Sequence, residues 1–375
     1  MMNPKYFKII KTYGSSLDSW HNMLFFGDNL KVLEKLLHDK NISGKITLIY
    51  IDPPFSTNNI FKSGERTATI SSSYEDEIAY EDILKGEKYL YFLRERLYLL
   101  KDLLDERGSI YVHTDYKIGH YVKILMDEVF GKQNFINDIT RIKSNPKNFE
   151  RKAFGNIKDM ILFYSKTKDF IWNNPTRTFS KEDIERRFTK IDRDGRRYTT
   201  VPLHAPGETL NGNTGKAWKG LLPPKGRHWR SSVEKLEDLD KAGLIEWSKN
   251  GVPRKKIYAD EYSKRGMKIQ DVWNFKDPQY PSYPTEKNLD MLKLIIRASS
   301  REKDIVMDAF AGSGTTLVAA ELLDRRWIGI DNSITAIATT IKKLLELQGS
   351  KHAIKKFSVY ALEEAELKDV YKVLE

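Results

Sequence analysis

Apolar residues fall along this chain in two rhythms, short unbroken runs and repeats of three to four, and their alternation predicts an α/β fold. Met23-Leu24-Phe25-Phe26, stopped by Gly27-Asp28-Asn29, reads as a strand and a turn, and Leu30, Leu33, Leu36 and Leu37 follow at helical spacing. Ile46-Thr47-Leu48-Ile49-Tyr50-Ile51 reads as a strand buried on both faces of a parallel sheet. The polar stretch 56–73, rich in Ser, Thr, Asn and Gly, reads as a mobile loop. Leu90, Leu93, Leu97, Leu100 and Leu104 predict a long helix ended by Gly108, and 109–113 predicts another strand.

Between about 145 and 271 the rhythm breaks. Prolines 175, 202, 206, 223, 224 and 253 and a glycine cluster over 207–226 leave no sustained period, although 157–164 still reads as a strand returning to the sheet. The α/β pattern then resumes. Leu289, Leu292, Ile295 and Ile296 share a helical face, 305–308 is a strand, 309–316 is a loop of mostly small residues opening a helix over 317–323, and 326–331 is a strand ending in an acid. A helix near 334–347 and a strand near 357–360 close the pattern.

Composition narrows the chemistry. The chain has 375 residues, no cysteine and seven scattered histidines without metal-ligand spacing, so a thiol nucleophile and disulfides are excluded and a metal site is not expected. No apolar run approaches the ~18 residues of a membrane span, and the first residues lack the apolar block of a signal peptide, which points to the cytoplasm. The net charge of +11 is concentrated in the middle. Residues 141–270 hold 30 Lys and Arg against 16 Asp and Glu. With Trp172, Tyr198, Trp218, Trp229 and Trp247 interleaved, that stretch suits nucleic acid.

Two strand ends carry the candidate chemistry. Asp52-Pro53-Pro54-Phe55 places a carboxylate, a rigid backbone lacking two N–H donors and an aromatic face at the edge where open α/β sheets bind ligands. Such a group suits a planar base bearing an amino group. Gly312 and Gly314 allow a tight turn and close ligand approach at a helix N-terminus, and Asp331, 17 residues beyond Gly314, ends the next strand where an acid accepts from ribose hydroxyls. No Lys follows the glycines, which excludes a P-loop, and Leu317 stands where a dinucleotide fingerprint has its third glycine. Taken alone, Asp28 reads as a helix cap.

Together these residues resemble a family. Asp52-Pro53-Pro54-Phe55, Asp308-Ala309-Phe310-Ala311-Gly312-Ser313-Gly314 and Tyr283-Pro284-Thr285-Glu286-Lys287 look like the catalytic motif and two cofactor motifs of the amino DNA methyltransferases. Their order, with the basic insertion between catalytic motif and glycine loop, resembles the beta class, as found in restriction-modification systems. The resemblance implies a Rossmann-like, seven-stranded, mostly parallel sheet of the S-adenosylmethionine-dependent type. It also implies a catalytic half over 1–174, a target-recognition insertion over 175–270 and a cofactor-binding half over 271–375. S-adenosyl-L-methionine would be the methyl donor and a flipped base the acceptor.

Residue by residue, the resemblance puts Asp308, Phe310, Gly312 and Gly314 at the methionine end of the cofactor with Thr315 nearby, and Asp331 on the ribose. Asp28 falls beside the adenine, and Pro284, Thr285 and Lys287 over the methionine carboxylate. Two positions depart from the usual pattern, Asn288 for a proline and Phe55 for a tyrosine. Asp at the first catalytic position resembles the N6-adenine enzymes, whereas serine there resembles the N4-cytosine ones. N4-cytosine methylation, RNA adenine methylation and a non-catalytic nucleic-acid-binding protein are the alternatives. Double-stranded DNA is the expected partner, contacted by Arg141, Lys143, Lys147, Arg151, Lys152, Lys225, Arg227, Arg230, Arg254, Lys255 and Lys256. A cognate restriction endonuclease and a homodimer are left open.

Overall fold

Strands with apolar residues on both faces must be covered on both sides, and the chain meets that demand by alternating strand and helix through one large sheet. The computed structural model describes residues 6–14, 20–54, 87–146, 152–209, 212–279, 281, 286–349 and 354–362. It divides into two units, 1–174 with 270–375, and 175–269.

The first unit holds a ten-stranded sheet. In spatial order its strands are Phe7–Tyr13, Phe357–Leu362, Asn22–Phe26, Arg326–Asp331, Ile305–Asp308, Ile46–Ile51, Leu104–Thr114, Lys158–Ser165, Phe135–Ile142 and Val272–Asn274. The seven from Asn22–Phe26 through Phe135–Ile142 form the expected Rossmann-like core, parallel except for Lys158–Ser165, which runs antiparallel to both neighbours. Two further strands extend one edge and Val272–Asn274 the other, so the sheet is wider than the seven strands expected. The Ile46–Ile51 strand is buried at every position, and helix Glu87–Leu103 lays Leu93, Leu97 and Leu100 into the same core. Burial of that apolar surface, at roughly 25 cal/mol per Å², drives the layers together.

Gly108 does not end the long helix as expected. The helix stops at Leu103 and the chain passes directly into Leu104–Thr114, whose register against Ile46–Ile51 shifts between Ile46 and Leu48. A Cβ on Gly108 would lie 2.9 Å from the Ile46 carbonyl oxygen, so glycine serves close strand approach here. The 56–73 stretch lies outside the described residues. Among the described residues, no helix is long and apolar enough to cross a membrane.

The second unit is built on a four-stranded antiparallel sheet in the order Ile245–Trp247, Pro253–Tyr258, Arg197–Pro202, Lys190–Ile191. Helix Val233–Lys241 and the short pair His204–Pro206 with Arg227–Trp229 accompany it. Leu203, Trp218, Trp229, Leu236 and Ile245 form its own small core. This corrects the sequence reading of the aromatics. Trp218, Trp229 and Tyr198 are buried, with indole N–H groups donating to Glu237 and the Lys216 carbonyl and the Tyr198 hydroxyl to Glu246. They hold the unit together, because a small domain needs large rings to build a core at all. Trp172 and Trp247 remain exposed.

Candidate active site

The carboxyl ends of neighbouring strands bring Asp308, Asp331, Asp52 and His113 to one edge of the sheet. Each acid follows a buried run, and the parallel pairing of the strands brings their ends level.

Around the glycine loop, acids fix the backbone. Asp308 is buried and accepts from the Phe310 N–H at 3.0 Å and the Thr316 hydroxyl at 2.6 Å. Burial raises its pKa to about 7 against those two hydrogen bonds. Asp331 accepts from the Gly312 N–H at 2.7 Å and the Ser333 N–H at 2.8 Å, and burial raises its pKa too. Both glycines have positive φ, 50° at Gly312 and 72° at Gly314. Their surroundings differ. A Cβ on Gly314 would come within 2.5 Å of Thr340 Oγ1, whereas one on Gly312 would meet only the Phe310 carbonyl at 4.0 Å. Gly314 is thus required by packing, and Gly312 leaves the backbone open to close approach. Thr315 is buried beside Ser313, their hydroxyls 3.0 Å apart.

Asp28 caps helix Asn29–Leu36, accepting from the Leu30 N–H at 2.7 Å, so the local reading of that residue as a cap is what the structure shows. Its carboxylate is still 53% exposed. The sequence reading missed Arg96 and Asn29 next to it. Buried Arg96 donates to Asn29 Oδ1 at 2.6 Å and approaches Asp28 Oδ1 at 3.5 Å, while Asn29 donates to the Ala309 carbonyl at 2.8 Å. A helix residue thereby ties the Asp28 turn to the glycine loop.

Asp52 stands at the centre of the edge. Its Oδ2 lies 2.9 Å from Lys287 Nζ, with the two side chains 16% and 11% exposed. Its Oδ1 is buried and has no hydrogen-bond partner among the described residues. Lys287, expected over the methionine carboxylate, is thus found on the Asp52 carboxylate. Glu286, paired with Lys343 at 2.5 Å, and Asn288 hold its segment on either side. Asn288 takes the place of the usual proline by capping helix Leu289–Ser299 and donating to the Lys276 carbonyl. Pro53 is buried and Pro54 exposed. Phe55, Pro284 and Thr285 lie outside the described residues, as do Lys147 and Arg151.

Behind Asp52 runs a polar chain that motif reading did not find. Tyr50 Oη is 2.8 Å from His113 Nδ1, and His113 Nε2 is 3.2 Å from Asp159 Oδ2. Asp159 in turn pairs with Lys143 at 2.6 Å and with Arg141 at 3.5 Å. Burial would raise the Asp159 pKa, but the hydrogen bonds from His113 and Lys143 and the Lys143 charge hold it well below the usual carboxylate range. Arg141 is therefore no phosphate contact. Its guanidinium is fully buried and donates to Asp159, Asp277 and the Phe275 carbonyl. Lys143 is likewise engaged inside the fold.

In the second unit Lys225, Arg227 and Arg230 are exposed, as is Lys152 in the first. Arg227 and Arg230 both reach His204, and the His204 pKa is lowered by burial and then by the charges of Arg227, Arg230 and Arg254. Three arginines from two segments thus gather around His204. Arg254 is bonded to Thr200 and Lys256 is paired with Asp192, while Lys255 lies half-buried between them on the strand.

The strand order and the glycine loop at the carboxyl edge define an S-adenosylmethionine-dependent methyltransferase fold. The DNA methylase model for N6 and N4 amino methylation matches residues 46–342, and the chain belongs to that family: it is a DNA methyltransferase. It is 43% identical over 328 residues to the Type II methyltransferase M.EcaI of Enterobacter cloacae, covering 86% of this chain and 69% of that one. It is 26% identical over 340 residues to the StyLTI Mod subunit, a Type III restriction-modification protein of Salmonella typhimurium. That match takes in 81% of this chain and half of the Mod subunit's length. The crystal structure of the M1.HpyAVI–SAM complex aligns over 86% of this chain and 98% of that one, at 17% identity and a TM-score of 0.45.

Proposed function

We propose that this chain methylates the N6 amino group of adenine in duplex DNA, using S-adenosyl-L-methionine and a base flipped out of the helix. The observation that carries the reading is the buried Oδ1 of Asp52, which stands at the end of a parallel strand and has no hydrogen-bond partner among the described residues. An exocyclic amine offers two N–H groups. Asp52 Oδ1 accepts one and the Pro53 carbonyl the other, which draws the nitrogen toward a pyramidal form with its lone pair available for in-line attack. Lys287 on Oδ2 holds the carboxylate in position. Phe55 stacks on the extruded ring and offsets part of an unstacking cost of a few kcal/mol.

The residues present fit the cofactor. Gly312 leaves its backbone open, Phe310 follows the Asp308 turn, and Asp331 stands at the next strand end with Asp28 and Thr315 alongside. When bound, S-adenosyl-L-methionine supplies an electrophilic sulfonium methyl; the protein supplies alignment and acceptors. The adenine assignment rests on aspartate at position 52. Residues 175–269 serve target recognition, with Arg227, Arg230 and Arg254 around His204 as the cluster that meets the DNA, joined by Lys225 and Lys255. The chain works in the cytoplasm as the modification arm of a restriction-modification system, opposite a cognate endonuclease, as the names of its relatives suggest.

Mass spectrometry of nucleosides from duplex DNA treated with the enzyme and S-adenosyl-L-methionine tests the reading. N6-methyladenine is expected. N4-methylcytosine alone would reassign the base, and methylation of RNA in preference to duplex DNA would reassign the polymer.

A further inference from the structure

Three side chains behind the catalytic edge, Tyr50, His113 and Asp159, are buried, bonded in sequence and unused by the mechanism above. His113 is fully buried, and its Nδ1 lies 2.8 Å from Tyr50 Oη and 4.0 Å from Asp52 Oδ1, the atom assigned to the amine. The protonation of that nitrogen decides whether Asp52 Oδ1 stays open. At 4.0 Å the two atoms are beyond hydrogen-bond range, but a small approach would let an Nδ1–H compete with the substrate amine for Asp52, whereas a bare Nδ1 would not.

The network settles which form is present. Asp159 pairs with Lys143 and Arg141, so it is ionised and can only accept. His113 Nε2 therefore carries the hydrogen that bonds Asp159. Burial lowers the His113 pKa, more than the carboxylates of Asp159 and Asp52 raise it, and the ring is neutral. Burial also raises the Tyr50 pKa, so Tyr50 keeps its proton and donates it to Nδ1. We propose that His113 is a positioning residue: held as the Nε2–H tautomer by Asp159 and Tyr50, it turns a proton-free nitrogen toward Asp52 and so reserves Oδ1 for the substrate amine. This rests on the reading of Asp52 as the amine acceptor.

The first test is nitrogen-15 NMR of the histidine imidazoles in the whole wild-type chain at pH 7.5, with His113→Gln to assign the signal. A neutral Nε2–H ring is expected, and an Nδ1–H ring or an imidazolium would overturn the proposal. The second test compares single-turnover methyl transfer in two variants. His113→Gln places an amide donor beside Asp52, whereas His113→Phe fills the space with no donor. The phenylalanine variant is expected to transfer at least tenfold faster than the glutamine variant, with cofactor affinities within threefold of each other. Equal rates, or a faster glutamine variant, would overturn the proposal, since loss of packing alone would favour neither donor nor acceptor. Asp52→Ala separates the two levels. If that variant transfers like wild type, the acceptor reading itself fails; if it is inactive and the His113 ring is Nδ1–H, only the proposal about His113 fails.

Discussion

Replacing Asp52 by alanine removes a carboxylate oxygen that is buried without a hydrogen-bond partner among the described residues, and the cost can be worked from the geometry. The amine nitrogen gains positive charge as it attacks, so its bond to a carboxylate strengthens in the transition state, and the Pro53 carbonyl alone remains to accept. A preorganised partner of this kind contributes about 3–4 kcal/mol, or about 10²–10³ in rate. The loss should appear in kcat, because the carboxylate meets the amine far more strongly in the transition state than in the bound ground state. Cofactor affinity, set at the glycine loop, should stay within a few fold. Stability falls as well, since Lys287 is left 11% exposed without its partner at 2.9 Å. Breaking a fully buried pair costs about 3–5 kcal/mol, and at this partly open edge about 1–3 kcal/mol is expected. Asp52→Ala with Lys287→Met should recover that stability and no activity. Tritiated-methyl transfer under single-turnover conditions, cofactor calorimetry and urea unfolding read the three quantities. A rate within tenfold of wild type, or a loss confined to KM, would refute the assignment of Asp52.

Gly314→Ala should lower unfolding free energy by about 1–3 kcal/mol, because a left-handed φ and a 2.5 Å approach to Thr340 Oγ1 both oppose a Cβ; Gly312→Ala, in open space, should cost less stability and more cofactor affinity, as calorimetry would show. Asp308 binds its proton more tightly folded, with a pKa near 7, than unfolded, so its contribution is complete below about pH 4 and is lost as pH rises to about 7. Unfolding of Asp308→Asn measured beside wild type across that window should remove this part of the slope, and identical slopes would place the raised pKa elsewhere. Arg141→Ala should destabilise by about 1–3 kcal/mol in urea unfolding, because it removes a fully buried guanidinium that bonds Asp159, Asp277 and the Phe275 carbonyl while Asp159 keeps Lys143 and His113, with no change in the salt dependence of DNA binding. Arg227→Ala and Arg230→Ala should leave unfolding unchanged and each reduce the slope of log affinity against log salt by about 1 in fluorescence anisotropy.

The α/β rhythm, the turn after Phe26, the Asp-Pro-Pro step and the glycine loop could all be read from the chain, because each depends on what neighbouring residues impose on one stretch of backbone. An apolar run buries itself wherever it lies, a proline removes its own N–H, and a glycine alone adopts φ of 50° or 72° without strain. Even Asp28 is correctly a cap on local grounds, whatever else it contacts. What the chain does not reveal is which distant groups meet. Lys287 reaches Asp52 and Asp159 reaches His113 only once strands far apart in sequence lie side by side.

Burial of charged and aromatic residues was the other matter left to tertiary structure. Arg141 and Arg227 look alike in a basic stretch, yet one is sealed among Asp159, Asp277 and the Phe275 carbonyl and the other is exposed beside His204. Trp218 and Trp229 look like a stacking platform and are instead the core of the second unit. An arginine or a tryptophan carries both an apolar body and a polar tip, so composition cannot say which end the fold will use. That choice is made by the partners that packing brings within a few ångströms, and here it decided which parts of the basic insertion remain to meet DNA.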